Sequence, residues 1–97
     1  MFEIIVSHRA RKGAKSLPPD LKKKVIEVLN TLENEPVPVE KYDVKKLKGL
    51  PNIYRIRIGV WRIIYSVEFK NRRITILKIE RRKRLTNRRT VLYATNK

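Results

Sequence analysis

Tyr54-Arg55-Ile56-Arg57-Ile58-Gly59-Val60-Trp61-Arg62-Ile63-Ile64-Tyr65 alternates apolar and cationic residues on either side of a central Gly-Val pair. A period of two marks β-strands, because successive side chains leave opposite faces. Gly-X is a favoured two-residue hairpin turn, since glycine accepts positive φ there. With Gly59 and Val60 in the turn, Ile58 faces Trp61, Arg57 faces Arg62, Ile56 faces Ile63, Arg55 faces Ile64 and Tyr54 faces Tyr65. Tyr54, Ile56, Ile58, Trp61, Ile63 and Tyr65 then share the face that packs under helices, and Arg55, Arg57 and Arg62 share the other. Like charges directly opposite each other destabilise a sheet by roughly 0.2–1 kcal/mol. An anion between Arg57 and Arg62 is therefore expected, and the planar guanidinium fork suits phosphate.

Downstream of this hairpin, Lys70-Asn71-Arg72 reads as a turn and Arg73 to Arg81 as a third strand. Upstream, residues around Lys45, Lys46 and Lys48 read as a cationic loop, and Pro36-Val37-Pro38 closes a helix. That helix opens at Pro18-Pro19 and carries Leu21, Val25, Val28, Leu29 and Leu32 as one apolar stripe. Before it, Ser7 suits the N-cap of a short helix on which Ala10, Ala14 and Leu17 share a face. Phe2, Ile4 and Val6 alternate as a first strand. The order implies an α+β fold: two N-terminal helices packed on one face of a mainly antiparallel, twisted sheet of about four strands. Residues 1–97 form one domain in this reading, with 85–97 a basic and aromatic C-terminal tail.

Ninety-seven residues with 41% hydrophobic content are enough for one modest core. The absence of cysteine removes disulfides, thiolate nucleophiles and most zinc sites. No apolar run approaches the roughly 18 residues of a membrane span, and the opening MFEIIVSH lacks the plan of a signal peptide, so the expected address is the cytoplasm.

Charge is the strongest compositional signal. The net charge is +16, and residues 1–44 carry 8 Lys/Arg against 7 Asp/Glu, whereas residues 45–97 carry 17 against 2. So one-sided a field destabilises the folded state unless an anion partners it. Nucleic acid is the commonest such partner and an acidic protein the next. A merely solubilising surface normally mixes both signs. Arg81, Arg82, Lys83 and Arg84 extend the cationic surface past the third strand, and Tyr93 offers an aromatic plane on which an unpaired base can stack. The plainer alternatives are a solvated outer face for Arg55 and Arg57, and flank packing for Tyr93.

His8 is the only histidine, so a two-imidazole acid–base pair is excluded. Glu68 and Glu80 stand alone among cations and read as local ion-pair partners, not as the clustered carboxylates of a two-metal nuclease. No metal or other cofactor is expected. What remains is stabilisation of a phosphorane-like transition state by fixed arginines. Such a site acts best on RNA, whose 2′-hydroxyl supplies the nucleophile once the strand is bent in line. The reading requires Arg55, Arg57, Arg62 and Arg82 to gather on the open side of the sheet, uncommitted to internal carboxylates.

Asp43-Val44-Lys45-Lys46-Leu47-Lys48-Gly49 and the hairpin pattern Tyr-Arg-x-Arg-x-Gly-x-x-Arg-x-x-Tyr together resemble the RelE/ParE toxin superfamily, its archaeal RelE members most closely, over residues 2 to about 84. The resemblance implies the toxin of a type II toxin–antitoxin system: a metal-independent, ribosome-dependent endoribonuclease that cuts mRNA in the ribosomal A site. It implies a RelB-like antitoxin that holds the toxin silent in a hetero-oligomer. By position, Arg62 and Arg82 match the family's catalytic arginines, and Arg55 and Arg57 fall where some members carry lysines proposed for proton transfer. Tyr93 lies several residues beyond the family's stacking tyrosine. ParE-like members poison DNA gyrase on the same fold, and a non-catalytic RNA- or ribosome-binding protein is the third alternative.

Overall fold

In a computed structural model, which describes residues 1–82, the element order is β1 (Glu3–Val6), α1 (His8–Ala14), α2 (Pro19–Leu32), β2 (Asp43–Lys46), β3 (Ile53–Ile58), β4 (Trp61–Glu68) and β5 (Arg73–Arg81). Lys83, Arg84, Tyr93 and the tail 85–97 lie outside the described residues.

The sheet order is β1-β5-β4-β3-β2. The chain leaves one edge strand, crosses the sheet through both helices, enters at the far edge as β2, and meanders back until β5 lies parallel to β1. Because that crossing connection carries both helices, they cover one face and leave the other open. Ala10, Leu17, Val25, Val28 and Leu32 pack there against Tyr54, Ile56, Trp61, Ile63, Tyr65, Val67, Ile74, Ile76 and Ile79. The expected stripe of α2 is the buried one, with Leu21 and Leu29 at its margins. Ser7 caps α1, its Oγ accepting from the Ala10 N–H at 3.0 Å.

The β3–β4 register is the one expected, Ile58 opposite Trp61 through Tyr54 opposite Tyr65, with Gly59 at φ 59° in the turn. Elsewhere the structure corrects the expectation. There are five strands, not about four: Asp43–Lys46, read as a loop, pairs antiparallel with β3. Its lysines hide it, since Val44 is its only apolar residue, and a short lysine-rich strand is what a sheet edge favours. α1 ends at Ala14, so Leu17 is buried just beyond the helix, and α2 stops at Leu32, before Pro36.

β5 holds a feature that strict alternation misses. Its pairing with β4 shifts between Ile64 opposite Lys78 and Tyr65 opposite Ile76, so Leu77 is the extra residue of a β-bulge. Ser7 supports the bulge: its N–H donates to the Ile76 carbonyl and its hydroxyl to the Leu77 carbonyl at 3.2 Å. Without the bulge, Ile74 and Ile76 inside would put Lys78 and Glu80 inside too. With it, Ile79 turns into the core and Lys78 and Glu80 turn onto the open face. Gly13 of α1 lies so close to the Ile79 carbonyl that any β-carbon there would collide with it.

Candidate nucleic-acid interface

The open face carries a straight row of four charged residues, one from each of four adjacent strands. Asp43 of β2 is opposite Arg57 of β3, Arg57 is opposite Arg62 of β4, and Arg62 is opposite Glu80 of β5. Lys45, Arg55, Ile64 and Lys78 form a second row beside it.

Each arginine of the central pair is partnered on its outer side. Arg62 donates from Nε to Glu80 Oε2 at 2.6 Å, and its Nη2 lies 2.6 Å from the same oxygen, while Lys78 Nζ holds Oε1 at 3.2 Å. Arg55 donates from Nη2 to Asp43 Oδ1 at 3.1 Å, and Arg57 Nε stands 3.4 Å from Asp43 Oδ2. Burial works to raise the Glu80 pKa, but the hydrogen bonds and charges of Arg62 and Lys78 outweigh it and hold the carboxyl below its ordinary range.

Two expectations are corrected here. No anion is needed between Arg57 and Arg62 to hold the fold, because Asp43 and Glu80 flank the like charges and offset their repulsion. The arginines are also not uncommitted: Arg55, Arg57 and Arg62 are all ion-paired. The commitment is only partly internal: the Asp43 side chain is 56% exposed and those of Arg57 and Arg62 are 39% exposed, whereas Glu80 is 27% exposed and Arg55 12%. Each carboxylate is shared between two cations, so the face keeps a positive surplus.

Arg82 follows β5, exposed, and its N–H donates to the Val60 carbonyl, which places it beside the β3–β4 turn. It makes no ion pair among the described residues. Arg81 is separated from the others. It pairs with Trp61, on the parity of the core side, and lines a recess with Gly13 and Ser16 at the end of α1. Glu68 behaves as a local partner, accepting from Asn71 and lying 4.0 Å from Arg73. His8 is exposed at the start of α1. Among the described residues, no three His, Asp or Glu side chains converge to hold a metal ion.

The tyrosines that bracket the hairpin are structural. Tyr54 and Tyr65 stack at 5.7 Å in the core, and the Tyr65 hydroxyl donates to the Pro36 carbonyl at 2.8 Å. Burial, with Tyr54 adding to it, pushes the Tyr65 phenol far above its ordinary range, so it stays protonated and cannot serve as a base. The residue that sequence reasoning missed is Asp43, because its facing of Arg57 follows only once residues 43–46 are seen as a strand.

Comparison with known proteins agrees with this architecture. Residues 4–86 match the family described as ParE toxin of type II toxin–antitoxin system, parDE. A Methanocaldococcus jannaschii chain named as toxin RelE1 is 44% identical over 81 residues, covering 84% of this chain and 90% of that one. Among solved structures, the archaeal RelE–RelB complex from Pyrococcus horikoshii superposes with a TM-score of 0.77 at 40% identity, over 86% of this chain and 97% of that chain. The isolated Escherichia coli RelE toxin shares the fold at a TM-score of 0.74 and 17% identity, over 99% of this chain and 100% of that one.

Proposed function

Because the chain belongs to the ParE toxin family of type II toxin–antitoxin systems, with archaeal RelE toxins among its relatives, we propose that it acts as a RelE-type endoribonuclease that cleaves mRNA in the ribosomal A site. The observation that carries this is the open sheet face, where Arg55, Arg57, Arg62, Lys45 and Lys78 outnumber Asp43 and Glu80, with exposed Arg82 beside the hairpin turn.

Arg62 and Arg82 are the proposed catalytic residues. In the reaction the RNA 2′-oxygen attacks the adjacent phosphorus and the 5′-oxygen leaves, giving a 2′,3′-cyclic phosphate and a free 5′-hydroxyl. Negative charge builds on the non-bridging oxygens, where guanidinium groups stabilise it. Glu80, held ionised between two cations, is a weak base and suits the orienting of Arg62. Arg55 and Arg57 bind the strand by its phosphates, with Lys83, Arg84 and Tyr93 as further RNA contacts; Arg81, turned to the other side of the sheet, is not part of that surface. The domain is proposed to span 1–97, and its site to need neither metal nor cofactor.

A RelB-like antitoxin is the proposed protein partner, in a cytoplasmic hetero-oligomer. The Pyrococcus relative is a RelE–RelB complex, and a chain of net charge +16 suits an acidic companion. A short acidic protein encoded beside this one should co-purify with it.

Inducing the protein in cells and mapping the 5′ ends of transcripts tests the function. Cuts confined to translated frames support it. Growth arrest with a DNA-damage response and intact transcripts would instead support a ParE-like inhibitor of DNA gyrase, the second reading that the family's own description favours.

A further inference from the structure

We propose that Asp43 is a displaceable stand-in for an RNA phosphate, and that Arg55 and Arg57 form a phosphodiester subsite which the strand opens by taking the carboxylate's place. The inference rests on reading the open face as an RNA surface.

The geometry is that of a filled anion site. Arg55 and Arg57 leave the same face of β3 two residues apart and take one oxygen each of a single carboxylate, Oδ1 at 3.1 Å and Oδ2 at 3.4 Å. Two non-bridging phosphate oxygens present the same pair of acceptors, and guanidinium groups bind them in this forked manner. The subsite is also under-filled. Arg55 is only 12% exposed, and its Nε is buried without an acceptor among the described residues. Lys45, directly opposite Arg55 on the edge strand, adds a third cation around one negative charge.

The two ends of the charged row differ in how firmly they hold their carboxylate. Glu80 receives two donors of Arg62 on one oxygen at 2.6 Å, with Lys78 on the other, and sits on a nine-residue strand. Asp43 makes longer contacts, is twice as exposed, and belongs to a four-residue strand with a single neighbour. A carboxylate this exposed is readily rehydrated, so letting go of its cations costs it little. Glu80 is therefore the fixed end, and Asp43 the end that yields.

Binding of a short, fluorescently labelled single-stranded 2′-O-methyl RNA, which cannot be cleaved, tests this by anisotropy at fixed salt. Asp43→Asn should tighten binding about three- to ten-fold, the scale of releasing two cations from one exposed carboxylate. Asp43→Thr, which keeps β-strand preference, should do the same if the asparagine variant melts early. Glu68→Gln removes an equal charge at the opposite end of β4 and should move binding much less, because salt screens it. The gain should vanish in an Arg55→Ala/Arg57→Ala background. Binding that is unchanged, weakened or matched by Glu68→Gln overturns the proposal. So does a gain seen only with an acidic peptide, which would make the subsite a protein contact. Failure here with transcripts still cut on ribosomes removes this inference alone, whereas tightened RNA binding without cleavage removes the nuclease assignment and leaves the subsite.

Discussion

Arg57 and Arg62 stand directly across from each other on β3 and β4, and each turns away from the other to a carboxylate on the strand beyond, Asp43 on β2 and Glu80 on β5. The arrangement solves a local electrostatic problem without neutralising the face. Arg57 is half-exposed, and its repulsion from Arg62 and attraction to Asp43 are of similar, small size. Arg57→Thr is expected to leave the unfolding free energy within about 0.5 kcal/mol. The same variant should weaken RNA binding and lower the salt slope by about one. Urea melts and anisotropy titrations at several salt concentrations check both halves.

Arg82→Ala is expected to reduce ribosome-dependent mRNA cleavage about 10²–10³-fold, the usual loss when one transition-state donor is removed. Arg62→Ala should reduce it less. Arg82→Ala should melt like the parent, since Arg82 is exposed, whereas Arg62→Ala should also lose the stability that the Glu80 ion pair contributes. An Arg82→Ala protein that cuts as fast as the parent would remove Arg82 from the site.

Glu80→Gln should act through Arg62. The folded-state pKa of Glu80 is lowered, so its contribution to stability is present above the ordinary carboxylate range and disappears as pH falls through the lowered folded value. The parent should therefore lose stability on the acid side by a component the glutamine variant lacks. Cleavage by the variant should fall, with Glu80→Asp recovering only part of it. Stability curves for parent and variant that run parallel across the acid range would refute the coupling.

Gly13→Ala tests the close approach of α1 to β5. Intrinsic helix preference favours alanine by up to about 1 kcal/mol. Here the added methyl meets the Ile79 carbonyl, so the change is expected to destabilise by roughly 1–3 kcal/mol. The opposite sign makes a thermal or urea melt decisive.

Tyr65→Phe removes the hydroxyl bonded to Pro36. A loss of about 1 kcal/mol is expected, with cleavage unaffected. A large fall in cleavage at near-parent stability would mean that this buried phenol takes part in the chemistry.

The hairpin, its register, the two helices and the face on which Arg55, Arg57 and Arg62 emerge are all legible in the order of the residues. These follow from short-range rules: alternation of period two, a Gly-X turn, a helical apolar stripe and a serine cap, all readable within a few residues. The spacing Ile74, Ile76, Ile79 carried the bulge as well, as a step from two to three that strict alternation overlooks. What each arginine meets emerges only when the strands are assembled. Asp43 and Glu80 come from strands on opposite sides of the hairpin, Asp43 on an edge whose lysines disguise it and Glu80 past a bulge that Ser7 holds from seventy residues away. Cross-strand partners are set by how distant segments align, and no local pattern of side chains encodes that alignment.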